Sequence, residues 1–260
     1  SLAYTSIDDN KVQISDTDLK AKYNEMKPRF KQYVESRDIK YIDVQVKASA
    51  ADVAALQKEF ATYSKDLAAA ADPSDVVRKS TSLVNYTGVP VTKEAFPYDI
   101  AQHLDSMAVG STSKVLENKA DNTLNLIKLV AKQQMPDSIQ FRQIQVVGAT
   151  ADEATKRADS IYTALKAGAD FEVLAKKYGQ TGEKAWMTTR QYQSAPSIDK
   201  NTKDYIMALN TMSVGEIKNM PLSQGNLIVQ VSDRKAMTTK YTAAVVKKNI
   251  TFSKDTYSAA

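Results

Sequence analysis

The 260-residue chain has no cysteine and a single histidine. The first absence excludes disulfides, thiolate nucleophiles and cysteine-ligated zinc together, and leaves the compartment open. The second excludes multi-histidine metal centres, and any Ser-His-Asp triad would have to use His103. That residue sits in Asp99-Ile100-Ala101-Gln102-His103-Leu104, an amphipathic helical stretch where a surface or hydrogen-bonded imidazole is the simpler reading. Glycine and proline are sparse, at 8 and 7, which excludes collagen-like and low-complexity chains. No apolar run approaches 18 residues, so nothing reads as a membrane-spanning helix. The opening Ser1-Leu2-Ala3-Tyr4-Thr5 lacks the basic and apolar regions of a secretory signal. Either the protein is cytosolic or a targeting segment precedes Ser1. No Asp-x-Asp-x-Asp-Gly loop or glycine-rich phosphate cradle occurs, so no metal, nucleotide or other cofactor is expected.

What is present is ordinary for a folded chain: 43% apolar and 25% charged residues. The excess of 35 basic over 30 acidic residues gives +5, but the basic residues are scattered. Lys176-Lys177 and Lys247-Lys248 are pairs and not stripes, so no nucleic-acid partner is expected.

Ser15-Asp16-Thr17-Asp18 announces a helix running towards Pro28. Ile39 to Val46 alternates apolar and polar residues and predicts a half-buried strand. A helix over 50–71 carries Val53, Leu56, Phe60, Tyr63 and Leu67 on one stripe, and Asp72-Pro73-Ser74 opens a shorter one. A weak strand at 84–87, a helix at 99–107 and strands at 113–116 and 124–130 follow. The order then restarts after Met135-Pro136-Asp137. The second series has a strand at 141–146, helices at 150–166 and 170–178, and a weak strand at 186–188. A helix at 202–212 and strands at 216–220 and 226–231 complete it.

The restart has a register. Lys40-Tyr41-Ile42-Asp43-Val44 aligns with Arg142-Gln143-Ile144-Gln145-Val146, and Leu126-Ile127-Lys128-Leu129 with Ile228-Val229-Gln230-Val231, both at a separation of 102. Met107-Ala108-Val109-Gly110 aligns with Met212-Ser213-Val214-Gly215 at 105. Two copies of one α+β domain in tandem are therefore expected, each a small, mostly antiparallel sheet with covering helices. The expected boundaries are a linker and helix at 1–36, domain one at 37–134, domain two at 135–236 and a C-terminal segment at 237–260.

The second copy contains Arg142-Gln143-Ile144-Gln145-Val146, Leu165-Lys166-Ala167-Gly168-Ala169-Asp170-Phe171, Met212-Ser213-Val214-Gly215-Glu216-Ile217 and Gln224-Gly225-Asn226-Leu227-Ile228-Val229. On these segments it resembles the parvulin family of peptidyl-prolyl isomerases. Asp16-Leu19-Tyr23-Phe30 and the segment from Thr251 to Tyr257 resemble the flanks of parvulin domains in SurA- and PpiD-type periplasmic folding factors. The resemblance implies a periplasmic protein, membrane-anchored through a region outside this chain, whose partners are unfolded or nascent envelope proteins. It also implies proline isomerisation, in which a barrier of about 18–20 kcal/mol is lowered in an apolar groove flanked by two histidines.

Those histidines are replaced by Gln143 and Leu227 in the second copy and by Tyr41 and Asn125 in the first. Of the family's Gly-Gly-x-Leu-Gly-Trp turn, only Trp186 is kept. The groove candidates are accordingly Gln143, Trp186, Tyr205, Met212, Leu227, Tyr41 and Asn125, with core packing the competing reading for Trp186, Tyr205 and Met212. A positioned polar group contributes about 10²–10⁴-fold in rate. The expectation is therefore a binding module with little or no isomerase activity and no catalytic residue. The alternative is an active isomerase with a nonstandard pocket.

Overall fold

The computed structural model describes residues 8–260, which divide into a unit ending at Gln45 and a unit from Val46 to Ala260. In the first, α1 (Asp16–Met26) opens on a complete capping box: the Ser15 hydroxyl accepts from the Asp18 N–H while the Asp18 carboxylate accepts from Ser15. A 3₁₀ turn, Lys27–Phe30, follows with Pro28 at its start. The strand expected at 39–46 is not formed; Tyr41 and Ile42 are 79% and 90% exposed.

The second unit is built on one antiparallel sheet. Its helices are α2 (Ala50–Ala69), α3 (Ser74–Lys79), α4 (Tyr98–Leu104), α5 (Ala151–Lys166), α6 (Phe171–Lys177), α7 (Lys200–Thr211) and α8 (Lys254–Ala259). Its strands are β1 (Leu116–Asn118), β2 (Thr123–Val146), β3 (Ala185–Thr188), β4 (Ile217–Leu222) and β5 (Gly225–Asn249). The order is β1-β2-β5-β4, with β3 on the other edge of β2. The segment 84–87, expected as a weak strand, is a loop.

β2 and β5 are several times the usual strand length and pair with each other nearly end to end. Each serves two lobes. The domain boundary expected at 134/135 falls inside β2, where Met135 and Pro136 pair with Thr238 and Met237. The segment after 236, expected to lie outside both domains, supplies the second half of β5, up to Asn249.

The first lobe comprises α2–α4, β1, the first half of β2 and the second half of β5. Leu124, Leu126, Ala244 and Val246 pack against Phe60 and Leu67 of α2 and Val77 of α3, while Ile127, Leu129, Ala243 and Val245 pack against Ile100 and Leu104 of α4. The second lobe repeats this arrangement. Ile144, Val146 and Ile228 meet α5 and α6, and Ile139, Val229 and Val231 meet α7.

The separation of 102 survives in the pairing. Leu126 pairs with Val246 and Ile228 with Ile144; Leu129 pairs with Ala243 and Val231 with Phe141. The two register shifts, at Val130 in β2 and Ser232 in β5, also lie 102 apart. Gly110 and Gly215 both have φ of +85°, which favours glycine, and donate to Leu129 and Val231 respectively.

The place expected for 39–46 beside the first half of β2 therefore belongs to residues 240–249. The reason is compositional. That place is covered by helices on both faces, which demands a continuous apolar run. Ala243, Ala244, Val245 and Val246 supply one, whereas Lys40, Asp43 and Gln45 suit a strand with one wet face.

Between the lobes lies a polar cluster. The Lys240 ammonium, 1% exposed, donates to Asn210 Oδ1 at 2.8 Å and to the Tyr192 hydroxyl at 3.2 Å, and that hydroxyl donates to the Pro90 carbonyl at 3.1 Å. Burial pushes the Lys240 pKa down to about 8, against a smaller opposing pull from Asp137. The folded protein thus holds fewer protons than the unfolded chain between about pH 8 and 10.5, so folding gains stability as pH rises through that window. In chemical denaturation, wild type is expected to gain on Lys240→Met between pH 7 and 10; a pH-independent difference would refute the assignment.

Candidate functional site

The α7-covered face of the second lobe brings together Gln143, Tyr205, Met212 and Leu227, four of the groove candidates. On β2 it carries Ile139, Phe141 and Gln143, and on β5 Leu227, Val229 and Val231, because alternate residues share a face. Gln143 lies opposite Val229 and Leu227 opposite Gln145, so Gln143 and Leu227 are diagonal neighbours on one surface. β4 adds Met220 opposite Leu227, and β3 adds Met187 opposite Ile139.

α7 positions the other wall. Asp199 caps it by accepting from the Thr202 N–H at 3.0 Å, and Met212 ends it, fully buried against the sheet. Tyr205 sits one turn in. Its ring meets Phe141 edge-on at 5.8 Å, and its hydroxyl donates to Gln143 Oε1 at 2.9 Å. Burial raises the Tyr205 pKa, so the phenol stays protonated and able to donate. Gln143 is exposed rather than buried, and Leu227 is 8% exposed. The surface can grip an apolar side chain and offers one amide at its rim. The titratable side chain among these residues is the Tyr205 phenol, which burial holds protonated.

Trp186 does not join this surface. It pairs with Gln140 and so faces the opposite side from Met187, 39% exposed under the Lys235 ammonium at 4.7 Å. Tyr41 lies outside the sheet altogether. Phe141, Met187 and Met220 are not among the sequence candidates, and for Met187 and Met220 only strand pairing brings them in. The period-two alternation around Gln143 already pointed to Phe141.

The matching place in the first lobe has a different character. Asn125 stands 102 residues before Leu227; Tyr41, 102 before Gln143, is not beside it, and the diagonal neighbour of Asn125 on β5 is Val245, 102 after Gln143. Asn125 is buried and donates to Asp99 Oδ2 at 2.9 Å. The same oxygen accepts from Asn118 at 3.0 Å and from Lys247 at 2.7 Å, and Lys247 also reaches Asp121 at 2.5 Å. Burial alone would raise the Asp99 pKa, but the bonds from Lys247 and Asn118 outweigh it and hold the carboxyl low. Lys247 is raised correspondingly, the pull of Asp121 and Asp99 exceeding the cost of burial. A saturated ion-pair network thus surrounds Asn125, a residue expected to line a groove. Among the described residues, no cluster of three or more acidic or histidine side chains is arranged to hold a metal.

Residues 124–235 match the family described as the PPIC-type PPIASE domain, the parvulin-type peptidyl-prolyl isomerase domain. The matched stretch contains the α7 face described above. Among curated proteins no sequence matches. Solved structures that the chain resembles include the crystal structure of PrsA from Bacillus subtilis, at 16% identity. The likeness covers 88% of this chain and 64% of that one, with a TM-score of 0.30. This chain thus spans less than two thirds of that protein's length.

Proposed function

We propose that this chain is part of a parvulin-family protein-folding factor of the bacterial envelope. Its second lobe binds unfolded polypeptide and has little isomerase activity. The observation that carries the reading is the α7 face within the parvulin-type stretch. The two residues at the family's histidine positions lie side by side there, one an amide held by Tyr205 and the other aliphatic. Apolar contacts with Leu227, Met220, Phe141 and Met187 are tolerant of sequence, as binding of varied unfolded segments requires. The lobes are two copies of one domain. The first takes its opening strand from the far end of the chain, and its groove has become a structural ion-pair site.

A proline-containing tetrapeptide assay, run beside an aggregation assay with an unfolded protein, tests this reading. The chain is expected to isomerise at least about 10²-fold more slowly than an active parvulin and to suppress aggregation. Gln143→His combined with Leu227→His is not expected to restore strong activity, because Glu183-Lys184-Ala185 still replaces the glycine-rich turn. Isomerisation by wild type at the rate of an active parvulin would falsify the binding-module reading and establish the nonstandard-pocket alternative.

A further inference from the structure

The two lobes differ at one sheet edge in a way that leaves room for a guest. In the second lobe β3 pairs with β2, with Met187 opposite Ile139 and Ala185 opposite Phe141. The corresponding edge of the first lobe, 102 residues on, is β5 at Tyr241 and Ala243. There Val91 pairs with Tyr241 in both directions, at 3.0 and 2.8 Å. Val89 would continue the ladder opposite Ala243, but the chain turns aside through Gly88, at φ +72°, and Pro90. Val89 packs instead with Val91, Tyr192 and Ile206. The segment touches β5 again only further along, where the Leu83 N–H donates to the Lys247 carbonyl at 2.8 Å and the Ser82 hydroxyl to the Val245 carbonyl at 2.8 Å.

Beneath this arch is a cavity of about 250 Å³, with Ala243 and Thr242 on its floor and Val84, Val89, Phe96 and Ala195 among its walls. The direction of the Ala243 backbone follows from the far side of the sheet. Its partner Leu129 gives its N–H to Ser111 and its carbonyl to Gly110, so both groups point away from β5. Leu129 and Ala243 are then a non-hydrogen-bonded pair, and the N–H and C=O of Ala243 point outward, towards the cavity. Neither group then faces β2, and among the described residues no loop backbone or side chain bonds to either, although Ala243 is buried. Such an orphaned pair on a strand edge is costly, and one extended strand satisfies both groups at once.

We propose that this cleft binds a short extended polypeptide segment, which adds beside Thr242–Ala244, between the contacts of Val91 and Ser82 with β5, and pairs with the backbone of Ala243. This rests on the reading that the chain binds unfolded polypeptide and assigns that reading a second, backbone-reading site. Strand addition draws affinity from main-chain hydrogen bonds and so tolerates varied sequence.

The test is a titration of the ¹⁵N-labelled full chain with the blocked tripeptide N-acetyl-Val-Ala-Val-N-methylamide and with its analogue methylated on the alanine nitrogen. The unmethylated peptide is expected to shift the Ala243 amide resonance and slow its hydrogen exchange. The analogue should bind about ten-fold more weakly, and Ala195→Trp, which fills the cleft, should abolish the Ala243 response. Equal binding of the two peptides, or an Ala243 amide already protected and indifferent to both, overturns the proposal. The same spectra report Gln143 and Leu227. A response there without one at Ala243 refutes the cleft alone, and a response at Ala243 without one there counts against the groove and not the cleft.

Discussion

Replacing Lys247 by methionine is expected to cost about 3–5 kcal/mol of folding stability at pH 7, the range for removing one partner of a buried ion pair. The ammonium is the single cation between Asp99 and Asp121, with side-chain exposure of only 9%. Without it the Asp99 carboxylate keeps the amides of Asn118 and Asn125 and loses its counter-charge. The loss should depend on pH. Asp99 and Asp121 both have folded pKa values below the usual carboxylate value. Their contribution is therefore fully present above about pH 4 and is lost as pH falls through the lowered folded values. Urea denaturation of wild type and variant should show a wide gap at pH 7 that narrows below pH 4. A gap under 1 kcal/mol at pH 7, or one that does not change with acid, would contradict the network's structural role.

Lys128→Met is expected to cost about 3 kcal/mol, by a different route. Helix α2 is 20 residues long and ends at Ala69 without a glycine cap. Its last carbonyls need donors, and Lys128 supplies them from β2: its ammonium donates to the carbonyls of Leu67 at 2.6 Å and Ala70 at 2.5 Å. A cation at the C-terminus of a long helix is also favoured by the helix dipole. Methionine fills similar volume but leaves the carbonyls in a buried site with no donor. Hydrogen exchange should show the last turn of α2 opening in the variant while the second lobe, whose α5 is not capped this way, keeps its protection. Loss of protection spread evenly over both lobes would contradict this account.

Much of the second lobe is legible in the sequence because its elements follow one another in the order in which they pack. The strand at 141–146 directly precedes α5, and the alternation of Ile144 and Val146 is the pattern of the buried face. The first lobe is less legible. The segment 39–46 has the right alternation and the right place before α2, so local pattern alone favours it. The strand that wins comes from 240–249, and only the two-sided burial of Ala243–Val246 decides the competition. That is a tertiary requirement, invisible in a window of eight residues. The 102 separation is visible in the sequence, yet in the first lobe the position matching Gln143 is taken by Val245, 102 residues after it, and not by Tyr41, 102 residues before it. Trp186 stands apart from the α7 face for a simpler reason. Its likeness to the family's turn is a matter of sequence, while the parity of β3 sends Met187, not Trp186, to the α7 face.

The central claim is that the α7 face of the second lobe holds unfolded polypeptide without processing it chemically. The most direct measurement is a titration of the labelled full chain with a permanently unfolded, proline-containing polypeptide, with amide shifts and proline exchange rates read in the same sample. The account predicts shifts at Phe141, Gln143, Met220 and Leu227, and a cis–trans exchange rate in the polypeptide that does not change on binding. Shifts confined to other surfaces would contradict the site, and exchange accelerated to the rate of an active parvulin would contradict the function.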